Sequence, residues 1–163
     1  MKYKVLFVCL GNICRSPLAE AIFKHKVNAR GLSKYLYADS CGTSNYHIGD
    51  PPDIRTLKNA HKNGINIIHL GRQFSPQDFT EFDMLLAMDK SNLYNIKKHD
   101  MSGVYEAKIK LMRAFDAHGH MEDVPDPYFG GESGFQEVFE ILDRSTHALL
   151  DFIEAEKLPG FKG

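Results

Sequence analysis

The chain carries few cysteines, no long apolar run and no excess of either charge, and each lack excludes something. Cys9, Cys14 and Cys41 are too few for a disulfide framework. Their thiols are therefore expected to stay reduced, and the cytoplasm is the compartment that suits them. No apolar stretch approaches the ~20 residues of a membrane span. Met1-Lys2-Tyr3-Lys4 enters a strand directly, without the apolar core and small-residue cleavage site of a signal peptide. With 20 basic residues against 21 acidic ones, the net charge is −1, so the basic excess of a nucleic-acid binder is missing. Repeats, low-complexity segments and linkers are missing too. At 163 residues and 43% hydrophobic, the chain suits one compact domain, residues 1–163. Such a domain buries roughly 70% of its unfolded surface.

Two phosphate-binding signatures are also absent. There is no G-x-x-x-x-G-K-[ST], and Gly11 lacks the partner glycines of a dinucleotide fingerprint. What stands there instead is V-L-F-V-C-L-G-N-I-C-R-S-P-L-A-E, residues 5–20. The run Val5-Leu6-Phe7-Val8 lacks alternation, as a strand buried on both faces does. It delivers Cys9 into a loop, and five residues later comes Arg15. Ser16 reads as an N-cap and Pro17 as the first helical residue. Strand, short loop and helix N-terminus make a cradle for an anion, through inward N–H groups and the helix dipole.

Further along, strand and helix signals alternate. The first helix is expected over residues 17–30, with Gly31 stopping it. A second strand is expected near residues 35–41, then a long loop carrying Tyr46 and His47. A helix over residues 53–63 is closed by Gly64. Residues 82–88 read as a third strand, residues 89–98 as a helix, and residues 107–112 as an alternating edge strand. The last helix shows Ser133 and Gln136 as a capping-box pair and a stripe of Phe135, Val138, Phe139, Leu142, Leu149, Leu150 and Ile153. The pattern implies an α/β, three-layer sandwich with a central, mainly parallel four-stranded sheet flanked by helices. Ligands in such sheets bind beyond the carboxyl ends of the strands, where Cys9 falls.

The natural guest of the loop is a tetrahedral oxyanion, phosphate or a vanadate-like ion. Arg15 can grip two of its oxygens, and backbone N–H groups of residues 10–15 can hold the rest. The same positive field favours a Cys9 thiolate. A thiolate under a phosphate monoester can attack phosphorus in line, while loop amides and Arg15 stabilise the equatorial oxygens. The leaving oxygen then needs a proton. Asp126, held between Pro125 and Pro127, is the best donor, and as carboxylate it can activate water against the thiophosphate. No cofactor and no metal enter this scheme. His118-x-His120 lacks a third ligand of plausible spacing.

Cys9-Leu10-Gly11-Asn12-Ile13-Cys14-Arg15-Ser16-Pro17 together with Val124-Pro125-Asp126-Pro127-Tyr128 resembles the low-molecular-weight protein tyrosine phosphatases. The resemblance extends to F-D-M-L-L-A-M-D-K-S-N from Phe82 and to G-F-Q-E-V-F from Gly134, so it covers nearly the whole chain as a single such domain. It implies Cys9 as nucleophile, Arg15 as transition-state clamp and Asp126 as general acid. Loop residues Leu10, Gly11, Asn12, Ile13, Cys14 and Ser16 would surround the phosphate. Asn12, Ser16, Ser40 and His69 would form a hydrogen-bonded support, with Ser16 assisting the thiolate. Tyr46 and Tyr128 would wall the phosphotyrosine ring, although the family often has tryptophan at the first position and a second tyrosine where Phe129 stands. Cys14 either fills space or, as the resemblance suggests, traps oxidised Cys9 in a reversible disulfide.

The expected partner is a phosphotyrosyl protein met by a monomer, with no nucleic acid and no membrane. Two other functions compete. Arsenate reduction uses a similar cysteine–arginine loop but needs resolving thiols downstream, and none follows Cys41. A phosphopeptide-binding module would need neither thiolate nor acid.

Overall fold

In the computed structural model, which describes residues 1–162, all four side chains of the run at residues 5–8 are fully buried. They form the middle of β1 (Tyr3–Cys9), which lies inside the sheet with a neighbour on each side. The chain continues through α1 (Arg15–Ala29), β2 (Leu36–Gly42), α2 (Ile54–Lys62), α3 (Asp78–Glu81), β3 (Met84–Ala87), α4 (Lys90–Lys97), β4 (Ile109–Leu111), α5 (Glu132–Glu156) and α6 (Pro159–Lys162). Two 3₁₀ turns, Glu106–Lys108 and Met112–Phe115, flank β4. The strand order is β2-β1-β3-β4 and every pairing is parallel, with β4 on the edge.

Alternate side chains of β1 enter different cores. Val5 and Phe7 pack with Leu18, Ile22 and Phe23 of α1 and with Leu142, Leu149 and Leu150 of α5. Leu6 and Val8 face the other way, into Phe79, Leu85, Ile96 and Leu111. The sheet is therefore the middle of three layers, as the alternating pattern implied. Each fully buried Leu or Phe contributes about 1.5–3 kcal/mol. The layers press the C-terminal ends of β1 and β2 together, with Cys9 in register beside Gly42.

Two helix starts differ from the sequence expectation. The first helix begins at Arg15 rather than Pro17, so Cys14 is its N-cap and contributes no side-chain bond. Ser16 is not the cap because its hydroxyl is turned back toward Cys9 and Asn12. The last helix begins at Glu132 with Gly131 as N-cap, so Ser133 and Gln136 do not form a capping box. Gln136 instead accepts bonds from Asn59 of α2 and from Asn63 at its C-terminal end. Asp53 and Asp89 do cap α2 and α4, accepting from Arg55 N at 2.8 Å and Asn92 N at 2.7 Å. Gly31 and Gly64 close their helices at φ 69 and 80, the left-handed region that suits glycine. No described helix is long and apolar enough to cross a membrane.

Candidate active site

The loop from Cys9 to Arg15 takes its shape from bonds on its outer side. The carbonyls of Cys9, Leu10 and Ile13 accept from Thr43 N (2.9 Å), Ser44 N (3.0 Å) and Asp53 N (2.8 Å). In a trans peptide the following N–H points opposite to the carbonyl, so the amides of Leu10, Gly11 and Cys14 are directed to the inner side. Gly42 is what lets the loop lie this close. A Cβ there would sit 2.6 Å from Leu10 O and 3.1 Å from Asn12 N. The first turn of α1 carries no acidic residue and no side-chain cap, which leaves its N–H groups open to an anion.

The Cys9 thiol is almost wholly buried at the base of this loop. Its sulfur is 2.9 Å from Ser16 Oγ and accepts from Asn12 N at 3.3 Å. Asn12 holds a left-handed backbone, φ 59, and its buried side chain is a hub. Nδ2 donates to Ser16 Oγ (2.8 Å) and Ser40 Oγ (3.1 Å), while Oδ1 meets Arg72 N (3.0 Å) and His69 Nε2 (2.7 Å). His69 Nδ1 lies 3.3 Å from Glu20 Oε1, and that carboxylate also accepts from Ser40 Oγ (2.7 Å) and Lys24 Nζ (2.6 Å). The structure thus brings Asn12, Ser16, Ser40 and His69 together behind the thiol. Asn12 and Ser16 do not line the cavity that a substrate would enter.

Arg15 is buried and already held. Its NH1 donates to Asp89 Oδ2 (2.7 Å) and to Val124 O (2.9 Å), and NH2 lies 3.7 Å from Asp126 Oδ2. Burial alone would lower its pKa, but Cys9, Asp89 and Asp126 together raise it above the usual arginine value. Asp126, more exposed than Arg15, accepts from Tyr128 N at 3.0 Å. Burial pushes the Cys14 thiol up to about 12, although Thr56 pulls in the other direction. Cys14 packs with Ile13 and Phe135.

A cavity of about 320 Å³ opens above the thiol. It is lined by Cys9, Gly11, Ile13, Cys14 and Arg15 of the loop with Leu10, and by Tyr46, His47, Asp126, Tyr128 and Phe129. Tyr46 and Phe129 are largely exposed, at 72% and 90%, and the Tyr128 and Phe129 rings meet edge-on at 5.0 Å. Arg55 lies over the Tyr128 ring at 5.3 Å and is paired with Asp53. Sequence reasoning missed His47 as a lining residue, and it missed Glu20, Arg72 and Asp89 as partners. Asp89 carried a visible N-cap signal, but its bond to Arg15 spans 74 positions. Among the described residues, Glu20, Asp39 and His69 alone have metal-like proximity. Lys24 and Arg72 already answer the two carboxylates, so the cluster serves as support for the loop.

A thiol seated in an oxyanion cradle at the end of a parallel strand, with a buried arginine and a carboxyl beside it, fits a class, the hydrolases that carry a phosphoryl group on cysteine. Comparison with known proteins agrees and narrows it. The model of the low molecular weight phosphotyrosine protein phosphatases matches residues 4–158. The Schizosaccharomyces pombe enzyme of that name is 46% identical over 148 residues, spanning 90% of this chain and 94% of its own. A protein tyrosine phosphatase of Entamoeba histolytica, solved with Hepes in its active site, superposes with a TM-score of 0.90 at 38% identity, covering 96% of this chain and 100% of that one. A Drosophila arginine phosphatase superposes at 0.84 with 36% identity, again covering 96% and 100%. The chain belongs to the low molecular weight phosphotyrosine protein phosphatase family.

Proposed function

We propose that the protein hydrolyses phosphotyrosine, and small aryl phosphate monoesters, through a cysteinyl-phosphate. The Cys9 thiolate attacks phosphorus, forming the P–Sγ bond as the P–O bond to the phenol breaks. Asp126 gives its proton to the departing oxygen. Loop amides and the free edge of Arg15 hold the three equatorial oxygens through the transition state. Asp126, now a carboxylate, takes a proton from water as that water attacks phosphorus. The P–Sγ bond breaks, phosphate leaves, and Ser16 Oγ is placed to donate to the returning thiolate. Atoms and charge balance with Cys9, Arg15, Asp126 and one water.

The observation that carries this reading is the sulfur itself, met by Asn12 N–H and Ser16 Oγ on the floor of a cavity that also holds Arg15 and Asp126. Tyr46, Tyr128 and Phe129 supply faces for an aryl ring, which favours phosphotyrosine over phosphoserine. The cavity is built within one chain, in keeping with a monomer, and a working thiol suits the reducing cytoplasm. The test is phosphate release from a phosphotyrosyl peptide by wild type and Cys9→Ser, with phosphoseryl and phosphoarginyl peptides as controls. Tyrosine-selective release that vanishes in Cys9→Ser is expected, with vanadate binding partly retained. Turnover surviving in Cys9→Ser would refute the nucleophile, and preference for the phosphoarginyl peptide would refute the substrate.

A further inference from the structure

The loop leading to Asp126 is built around one buried side chain that the mechanism does not use. Arg113 lies in the 3₁₀ turn after β4 and is only 7% exposed. Its Nε donates to Asp116 Oδ2 (2.9 Å), its NH1 to Asp123 O (3.1 Å), and its own carbonyl accepts from Met121 N (3.0 Å). Gly119 closes the loop over the guanidinium, where a Cβ would clash with NH2. Met121 takes a left-handed backbone, φ 66, to complete the turn, a conformation that non-glycine residues seldom adopt. The loop is thus wrapped on Arg113 against its own local preference.

From Arg113 a short path runs to the chemistry. Asp123, whose carbonyl it holds, also accepts from Lys90 N through Oδ1 (2.9 Å). The next residue, Val124, donates to Met88 O (2.8 Å), and its carbonyl receives Arg15 NH1 (2.9 Å). Asp126 follows two positions on, between two prolines that leave the backbone little freedom. Its side chain has one short bond of its own, from Tyr128 N, so its place depends on the main chain at residues 123–125. At the other end, the fully buried Asp116 carboxylate grips Arg113 and, through two bonds of 2.7 and 3.0 Å, Arg144 of α5.

We infer that Arg113 is a positioning residue that sets the general acid Asp126 and the clamp Arg15 in one frame, through the Asp123–Val124 main chain. This rests on the function proposed above. A brace that merely stabilised the fold would scale all activity alike. A positioning residue acts on whatever depends on the acid's proton, and so on the leaving group.

The experiment compares kcat/KM, which reports the step that forms the cysteinyl-phosphate, for phenyl phosphate (poor leaving group) and p-nitrophenyl phosphate (good leaving group). Arg113→Met is expected to lower kcat/KM about tenfold for the first and less than about threefold for the second. The inhibition constant of inorganic phosphate should rise about threefold as Val124 O shifts under Arg15. In an Asp126→Ala background, Arg113→Met should add no leaving-group-selective loss. Arg113→Lys, which keeps the charge but loses the fork, should show the same selectivity at smaller size, and it carries the test if Arg113→Met does not fold. A loss equal for both esters, or no loss in a variant with native circular dichroism, would overturn the inference. If wild type hydrolyses neither ester, the proposed function fails first and separately.

Discussion

Replacing Asn12 separates two costs that the loop carries at one position. Its side chain makes four hydrogen bonds, to Ser16, Ser40, His69 and the Arg72 amide, all in buried surroundings. Its backbone is left-handed, φ 59. In Asn12→Gly the bonds go but the backbone stays comfortable. At about 1 kcal/mol net per bond, the loss is about 3–4 kcal/mol. Asn12→Ala loses the same bonds and keeps a Cβ in the left-handed region, a cost of about 1–2 kcal/mol that glycine avoids. Glycine's larger unfolded-state entropy offsets part of that difference, so alanine should be the less stable of the two by about 1 kcal/mol. Urea unfolding at pH 7, read by circular dichroism, measures both. At a stability of about 10 kcal/mol, mid-range for such a domain, either variant stays folded, so kcat/KM can be read on the same samples. Both should fall at least about tenfold, because Asn12 N–H and Ser16 Oγ lose their fixed approach to the sulfur. Equal stabilities for glycine and alanine would refute the cost assigned to the backbone. A loss below about 1 kcal/mol in both would refute the network as the loop's support.

Asp126→Ala should lower kcat/KM about 10²–10⁴-fold for phenyl phosphate and much less for p-nitrophenyl phosphate, a loss equal for both counting against proton donation. Peroxide inactivation should be reversed by dithiothreitol through a Cys9–Cys14 disulfide found by mass spectrometry. Burial holds the Cys14 thiol at about 12, so disulfide closure after oxidation should quicken about tenfold per pH unit between 7 and 9, and a flat rate would exclude Cys14 as the resolving thiol. The Asp116 carboxyl, bound by Arg144 against the cost of burial and further by His118 N and Arg113, is held well below the usual carboxylate range. Its stabilisation is therefore present above the unfolded value near 3.9 and fades as pH falls below it. Asp116→Asn should lose about 3 kcal/mol at pH 7, with a smaller deficit at pH 3, and a constant deficit across that range would refute the linkage.

How far the sequence could be read depended on the range of each rule. The buried run of β1, the Cys9–Arg15 spacing and the proline-flanked Asp126 are local patterns; the run forms β1, and Cys9, Arg15 and Asp126 line one cavity. The stripe on α5 is equally local and faces the core as expected. Ser16 looked like a cap because serine before proline is a local signal for one. Its hydroxyl has better partners in Cys9 and Asn12, which the fold brings to it, and the helix begins before it. Ser133 and Gln136 fail in the same manner, with Gln136 drawn to Asn59 and Asn63 across 77 and 73 positions. Asp89 and Arg113 show the limit most plainly. Neither carries a local signal of its partner, and only the fold sets Asp89 against Arg15 and Arg113 against the loop that leads to Asp126.

The fold itself holds Arg15, with Asp89 and the Val124 carbonyl occupying NH1 and Asp126 lying 3.7 Å from NH2. Ordering supplied by the fold does not distinguish the ester from the product of its hydrolysis. The grip that speeds capture of a phosphorylated side chain is the same grip that must release inorganic phosphate. Throughput is therefore tied to the ambient phosphate concentration.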